Sequence, residues 1–229
     1  MYNDIQTLRQ IIRIINALHL EHTVILIGSW AEYFYQNLFS QYYSSFRTTD
    51  TDFLIKRPVS GGKGFVKAMQ EAGFTYDEDP YSGKSRFFKN GIEVEFLTNL
   101  TRNYAAIYRI RDLDINAECL KYMNIVIANT ISYQFSDGDI VLIPDPSAYI
   151  IQKALINNDR KPDKAKKDVS AIRGLLLAIT EEKRYDKEFL RIFNGLSRKE
   201  KRLVEAFAIE NEIIEMTGLI PKAGHQDVL

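Results

Sequence analysis

Two stretches decide the fold of this sequence: Ile27-Gly28-Ser29-Trp30-Ala31 and, further along, Thr48-Thr49-Asp50-Thr51-Asp52-Phe53-Leu54. The β-branched apolar run from Thr23 to Ile27 predicts a buried strand that stops at Gly28. A helix is predicted from Ser29 to about Phe39. A strand that turns through glycine into a helix lets a phosphate approach the backbone and meet the free N–H groups of the helix start. We therefore predict that Gly28 and Ser29 bind phosphate.

The second stretch carries two aspartates on a predicted strand that runs from Asp50 to Ile55. Because Asp50 and Asp52 are two residues apart, both side chains should point to the same face of that strand. Two neighbouring carboxylates repel each other unless cations lie between them, and hard oxygen ligands suit Mg²⁺. Two such ions, roughly 4 Å apart, can activate an attacking oxygen and stabilise a leaving one. The pattern predicts that Asp50 and Asp52 are catalytic metal ligands.

A third carboxylate is expected on a later hairpin. Asn90-Gly91 is a strong two-residue turn signal, and it separates a predicted strand at 85–89 from one at 92–97. The second of these strands carries Glu93 and Glu95 on one face. Glu95 lies in the middle of the strand and is the favoured third acid, with Glu93 as the alternate. This residue would ligate the catalytic metal or act as a base toward the incoming hydroxyl.

The remaining pattern predicts an α/β protein with a mixed sheet, followed by a helical C-terminal domain. Further strands are predicted at Asn124–Ile127, Ser132–Phe135 and Ile140–Ile143. Beyond Pro144, helical spacing predicts helices at Ser147–Asn157, Asp163–Ile179, Lys187–Asn194 and Arg198–Met216. The expected domains are therefore residues 1–145, the catalytic domain, and residues 146–229, the helical domain.

Composition narrows the function classes. The 30 basic and 30 acidic residues cancel, which argues against capture of nucleic acid by the whole surface, although a local basic groove remains compatible. Cys119 is the single cysteine, so no disulfide can form within the chain. The sequence contains neither a signal peptide core nor an apolar run long enough for a membrane span. We expect a cytoplasmic protein that does not bind membranes.

At these residues the sequence resembles the DNA polymerase β superfamily of nucleotidyltransferases. The superfamily signature is an apolar strand, Gly-Gly or Gly-Ser, a helix, Asp-x-Asp, and a later third acid. Here Gly28-Ser29, Asp50-Thr51-Asp52 and Glu95 look like these elements. The resemblance implies transfer of a nucleoside monophosphate from an NTP, such as ATP or GTP, with two Mg²⁺ ions as cofactor.

The second half resembles AbiE-type abortive-infection toxins and related minimal nucleotidyltransferases, in which a helix lysine and a Lys-Asp pair follow the catalytic domain. By that resemblance Lys153 would contact the triphosphate, and Lys167-Asp168 would support the site. The resemblance also implies an RNA, such as a tRNA end, or a protein as acceptor, and an antitoxin protein as partner.

Two other functions stay open at this stage. The chain could be a small-molecule nucleotidyltransferase of the antibiotic-modifying type, or an inactive nucleotide-binding or interaction module. The inactive module would be supported if Glu93 and Glu95 both pointed away from the aspartates. The basic run at Lys161, Lys164, Lys166 and Lys167 is either an ordinary solvated helix face or a surface for a polyanion such as RNA.

Overall fold

The computed structural model of the protein describes residues 2–42, 48–100, 106–180 and 182–221. By its internal contacts the chain divides into two compact units. Among the described residues, the first unit comprises 2–34 and 48–144, and the second comprises 35–42 and 145–221. The first unit is a mixed sheet with helices and the second is helical, which confirms the predicted α/β fold class.

A mixed sheet is the centre of the first unit. Its strands in the described residues are β1 Val24–Ile27, β2 Asp50–Ile55, β3 Thr75–Glu78, β4 Ser85–Lys89, β5 Ile92–Asn99, β6 Ile107–Ile110, β7 Ile115–Leu120, β8 Thr130–Gln134 and β9 Ile140–Pro144. Their order is β3-β4-β5-β2-β1-β9-β8. β4 pairs with the first half of β5, and β7 pairs in parallel with its second half, with β6 beyond β7. β2 and β5 are therefore interior strands, each with a paired strand on both sides.

The hairpin between β4 and β5 follows its local sequence. Asn90 and Gly91 both have positive φ, 53° and 79°, as a type I′ turn requires. Lys89 therefore pairs directly with Ile92, and the register of the two strands is fixed from that point. This turn decides which side chains of β5 share a face with those of β2.

The two faces of the sheet are covered differently. The helices of this unit are α1 Tyr2–Ala17, the start of α2 Ser29–Leu38, α3 Phe65–Glu71 and α4 Met123–Ala128. On one face the rings of Phe53 and Phe96 stack with centroids 6.1 Å apart, and Phe65 of α3 meets Phe96 edge-on at 5.5 Å. On the other face α4 contributes Met123 and Val126 to an apolar cluster with side chains of β1, β2, β5 and β9.

The prediction of a strand at Asn124–Ile127 was wrong, since these residues form α4. An apolar run this short has no periodicity that distinguishes a strand from a helix. Its burial against the sheet decides the outcome, because a helix lets Met123 and Val126 cover the neighbouring strands together. The strands β3, β6 and β7 were not predicted, and the exposed, acidic sequence of β3 lacks the apolar alternation of a half-buried strand.

The second unit is built around one helix. Its helices are α5 Pro146–Ile156, α6 Pro162–Ile179, α7 Lys183–Asn194, α8 Arg198–Glu210 and α9 Ile214–Leu219. Every residue from Pro146 to Leu155 is buried, and α6, α7 and α8 pack against α5. A helix that is buried on all sides forms the core of its unit. No described helix combines the length and the apolar character that crossing a membrane requires.

The prediction of a single helix over Arg198–Met216 was wrong, because α8 ends at Glu210 and a separate helix, α9, begins at Ile214. Glu212 adopts a left-handed conformation with φ of 50°. The Ile213 N–H donates to the Ala208 carbonyl at 2.9 Å, and the Glu212 N–H donates to that of Ile209 at 3.0 Å. This pair of hydrogen bonds is a Schellman motif, which ends a helix. The motif was not predicted from the sequence because glutamate, and not the usual glycine, occupies its left-handed position.

Candidate active site

Four carboxylates of the neighbouring strands β2 and β5 lie on one face of the sheet. The register pairs Asp50 with Glu93 and Asp52 with Glu95 across the parallel strands β2 and β5. Side chains of directly paired residues point to the same side of a sheet. Towards the carboxyl ends of these strands, Leu54 and Leu97 continue the face into the apolar cluster under α4. The acidic residues therefore occupy the uncovered start of a face whose other end is buried.

Gly28 brings the turn between β1 and α2 against the second aspartate. Its φ is +69°, and α2 begins at the next residue, the exposed Ser29. A Cβ atom at Gly28 would lie only 2.8 Å from Asp52 Oδ2, closer than real Cβ contacts allow. The absence of a side chain at Gly28 therefore gives the Asp52 carboxylate the room it occupies. The predicted phosphate turn and the predicted metal ligands thus lie next to each other.

Glu93 is held by a basic residue of the neighbouring strand. Arg86 Nη1 donates a hydrogen bond to Glu93 Oε1 at 3.4 Å, and the same guanidinium contacts Asp77 and Asp79. Burial raises the pKa of the Glu93 carboxyl, and the charges of Glu95 and Asp50 raise it further against the opposing effect of Arg86. The charge of Asp50 on β2 therefore contributes to the raised pKa of this carboxyl.

Glu95, the favoured third acid, is paired with Lys84 at the start of the β4 hairpin. Lys84 Nζ lies 3.0 Å from Glu95 Oε1 and 3.1 Å from Glu118 Oε2 of β7. Burial alone would lower the pKa of Lys84, but its hydrogen bonds to Glu95 and Glu118 raise the pKa overall. Sequence reasoning missed both residues, because Lys84 precedes its strand and Glu118 lies on a strand that was not predicted.

These residues fit Mg²⁺ by their chemistry. Asp50, Asp52, Glu93 and Glu95 supply hard oxygen donors on one face, and Gly28 leaves space beside Asp52. As they stand, however, the described residues contain no group of three or more His, Cys, Asp or Glu side chains placed to hold a metal ion. Glu95 is instead paired with Lys84, and Glu93 with Arg86, so both glutamates already have a cationic partner from the protein.

The predicted phosphate-binding lysines belong to the second unit. Lys153 of α5 is 9% exposed, and its Nζ lies 2.8 Å from Asp168 Oδ1 of α6. The other oxygen of Asp168 lies 3.0 Å from Arg160 Nε. The fold thus brings the buried Lys153 and Asp168 together with the half-buried Arg160 as an ion cluster, whereas Lys167 is exposed on α6. The roles of Lys153 and Lys167 toward a nucleotide stay predictions.

Comparison with known proteins identifies the class. A nucleotidyltransferase family matches residues 6–191, and the chain therefore belongs to this family of nucleotidyltransferases. The matched region includes the whole carboxylate face, the Gly28 turn and the Lys153 cluster. No curated protein matches the chain.

Among solved structures, an antigenic nucleotidyltransferase-like protein from Paracoccidioides brasiliensis aligns with 80% of this chain and 84% of its own. The two are 11% identical, with a TM-score of 0.42. The family assignment rests on the sequence match.

Proposed function

We propose that the protein transfers a nucleoside monophosphate from an NTP to an acceptor hydroxyl, with release of pyrophosphate. The observation that carries the proposal is the shared face of Asp50, Asp52, Glu93 and Glu95 beside the Gly28 turn. Membership of the nucleotidyltransferase family supports it. Because both glutamates share the face of the aspartates, the arrangement favours a catalytic protein over a module that has lost its third acid.

Each residue of the face has a proposed task. Asp50 and Asp52 would hold Mg²⁺, with Glu95 as third ligand, and the bound ions would offset charge on the phosphates. The backbone at Gly28 and the hydroxyl of Ser29 would bind the triphosphate at the start of α2. Glu93 is the alternate third acid, and its raised pKa suits a group that accepts a proton from the incoming hydroxyl.

For the acceptor we propose RNA, in line with the resemblance to toxin-type enzymes. Lys161, Lys164, Lys166 and Lys167 are all exposed at the start of α6, and within the described part of the chain none of their side chains forms a hydrogen bond or ion pair. Cations that are not neutralised locally attract a polyanion. This surface, the α6 lysine patch, favours RNA over a polycationic small molecule such as an aminoglycoside.

The test begins with calorimetric titration of each NTP in the presence of Mg²⁺. Wild type should bind at least one NTP, and Asp50→Asn/Asp52→Asn should lose binding that depends on the metal. The tightest NTP is then used as labelled donor in an acceptor screen of RNA, protein and aminoglycosides. Glu93→Gln and Glu95→Gln identify the third acid, since its loss should reduce transfer by about a hundredfold or more.

A wild-type protein that is folded by circular dichroism but binds no NTP would contradict the transferase proposal. Transfer to an aminoglycoside without transfer to RNA would replace the proposed acceptor while leaving the reaction class intact.

A further inference from the structure

Lys84 lies between two carboxylates at the edge of the candidate active site. Its Nζ is 3.0 Å from Glu95 Oε1 and 3.1 Å from Glu118 Oε2, and its side chain is 22% exposed. An ammonium group carries three donors and no acceptor, so it can satisfy both oxygens at once. One cation of the protein itself therefore already occupies the side of Glu95 that faces Glu118.

The glutamates of β5 differ from the first aspartate of β2 in this respect. Glu93 and Glu95 each contact a basic side chain, Arg86 and Lys84 respectively. Asp50 is exposed, and its carboxylate accepts a hydrogen bond from the Thr49 hydroxyl at 3.2 Å. The fold thus supplies cations to the β5 side of the face but none, within the described residues, to Asp50.

We propose that Lys84 is a positioning residue that competes with a divalent cation for Glu95. The proposal rests on the nucleotidyltransferase function given above. Like charges repel, so a divalent cation at the aspartates and the Lys84 ammonium cannot both lie against Glu95 without cost. Without a divalent ion, Lys84 donates a hydrogen bond to Glu95. When a divalent ion binds Glu95 as a ligand, this hydrogen bond is broken.

Glu118 makes such an exchange feasible. Because Lys84 already contacts Glu118, release of Glu95 leaves the ammonium with an anionic partner at 3.1 Å. The partly exposed position of both groups also gives water access to the donors that Glu95 vacates. Lys84 therefore need not be buried without a counter-charge when Glu95 turns to a metal, which would otherwise be unfavourable.

The experiment measures Mn²⁺ binding to the full chain by the electron paramagnetic resonance signal of the free ion, without nucleotide. Lys84→Met and Lys84→Gln should each bind Mn²⁺ about fivefold more tightly than wild type, because a competing charge next to the site is gone. Lys84→Arg, which keeps the charge, should stay close to wild type. Lys63→Met removes the same charge from an exposed lysine of the loop before α3 and should also leave the affinity unchanged.

Two further variants locate the effect. Lys84→Met/Glu95→Gln should lose the gain in Mn²⁺ affinity, because Lys84 competes with the ion for Glu95. Asp50→Asn/Asp52→Asn should abolish Mn²⁺ binding itself. Unchanged or weaker Mn²⁺ binding in a folded Lys84→Met and Lys84→Gln would overturn the proposal for Lys84 while the proposed function stands. If wild type binds no nucleotide in the calorimetric test, that result contradicts the proposed function and is distinct from the Mn²⁺ result for Lys84.

Discussion

At the scale of single residues, Gly28 has little freedom to change. It combines a positive φ with a Cβ direction that leads straight to the Asp52 carboxylate. Other glycines, such as Gly64 with φ of +83°, have a left-handed backbone but open space where a Cβ would lie. The two glycines therefore separate the cost of the backbone conformation from the cost of crowding an acidic side chain.

Gly28→Ala should lower the free energy of unfolding by about 1–3 kcal/mol through its backbone and should also displace Asp52. We expect NTP binding in the presence of Mg²⁺ to weaken at least tenfold by calorimetry. Gly64→Ala is the matched control: urea denaturation should show a similar loss of stability, with nucleotide binding retained. Equal loss of binding in both variants would contradict a specific role for the Gly28 turn.

At the scale of one element, α5 depends on the residue that precedes it. Asp145 is 8% exposed and caps the helix by accepting a hydrogen bond from the Ser147 N–H at 2.8 Å, with Pro146 in the first turn. Burial raises the pKa of the Asp145 carboxyl in spite of this hydrogen bond, and the charge of Glu188 adds to the rise. The cap is therefore useful as an acceptor but unfavourable as a buried charge.

A carboxyl whose pKa is raised on folding costs stability when it is ionised. The cost is absent below the unfolded value of about 3.8, grows as the pH rises, and is complete above the folded pKa. Asp145→Asn keeps an acceptor without the charge, so at pH 7 it should be at least as stable as wild type in urea denaturation. Its advantage should disappear as the pH falls towards 3.8.

Asp145→Ala is the control for the cap itself. It removes the acceptor together with the charge and should be about 1 kcal/mol less stable than Asp145→Asn at every pH. An asparagine variant no more stable than the alanine variant at pH 7 would show that the hydrogen bond to Ser147 contributes nothing.

At the scale of the whole molecule, charge is balanced but unevenly placed. The 30 basic and 30 acidic residues give no net charge, so long-range attraction of RNA must come from a local surface. Four acidic residues of the first unit lie on the shared face of β2 and β5, where the glutamates are already paired with Lys84 and Arg86. The α6 lysine patch is the corresponding basic surface of the second unit.

Lys161→Met/Lys164→Met/Lys166→Met should reduce RNA binding and its dependence on salt. Each phosphate contact of a single strand contributes about 0.7 to the slope of log affinity against log salt, so three lost contacts lower the slope by about 2. Fluorescence anisotropy of a labelled single-stranded RNA over a KCl series measures both quantities. Lys63→Met/Lys187→Met/Lys199→Met removes equal charge from exposed lysines elsewhere and should retain the slope. An equal fall in both triple variants would assign binding to overall charge.

The sequence by itself determined the elements whose signals are local. β2 was predicted with the bounds that the structure has, and Asn90-Gly91 adopts the two positive φ angles of the predicted turn. The long helices α5 and α6 match their predicted positions to within one residue. The backbone hydrogen bonds of the turn and of the two helices join residues a few positions apart, and β2 has an apolar pattern that is visible along the chain, so the sequence contains the information.

Only the tertiary structure decided how distant segments meet. The register that places Glu93 opposite Asp50 and Glu95 opposite Asp52 depends on pairing between strands some forty residues apart. The contact of Lys84 with Glu118 requires β7, a strand without a clear local pattern, and α4 is a helix because of the sheet face it covers. Such choices depend on burial and charge pairing in three dimensions, which periodicity along the chain does not record.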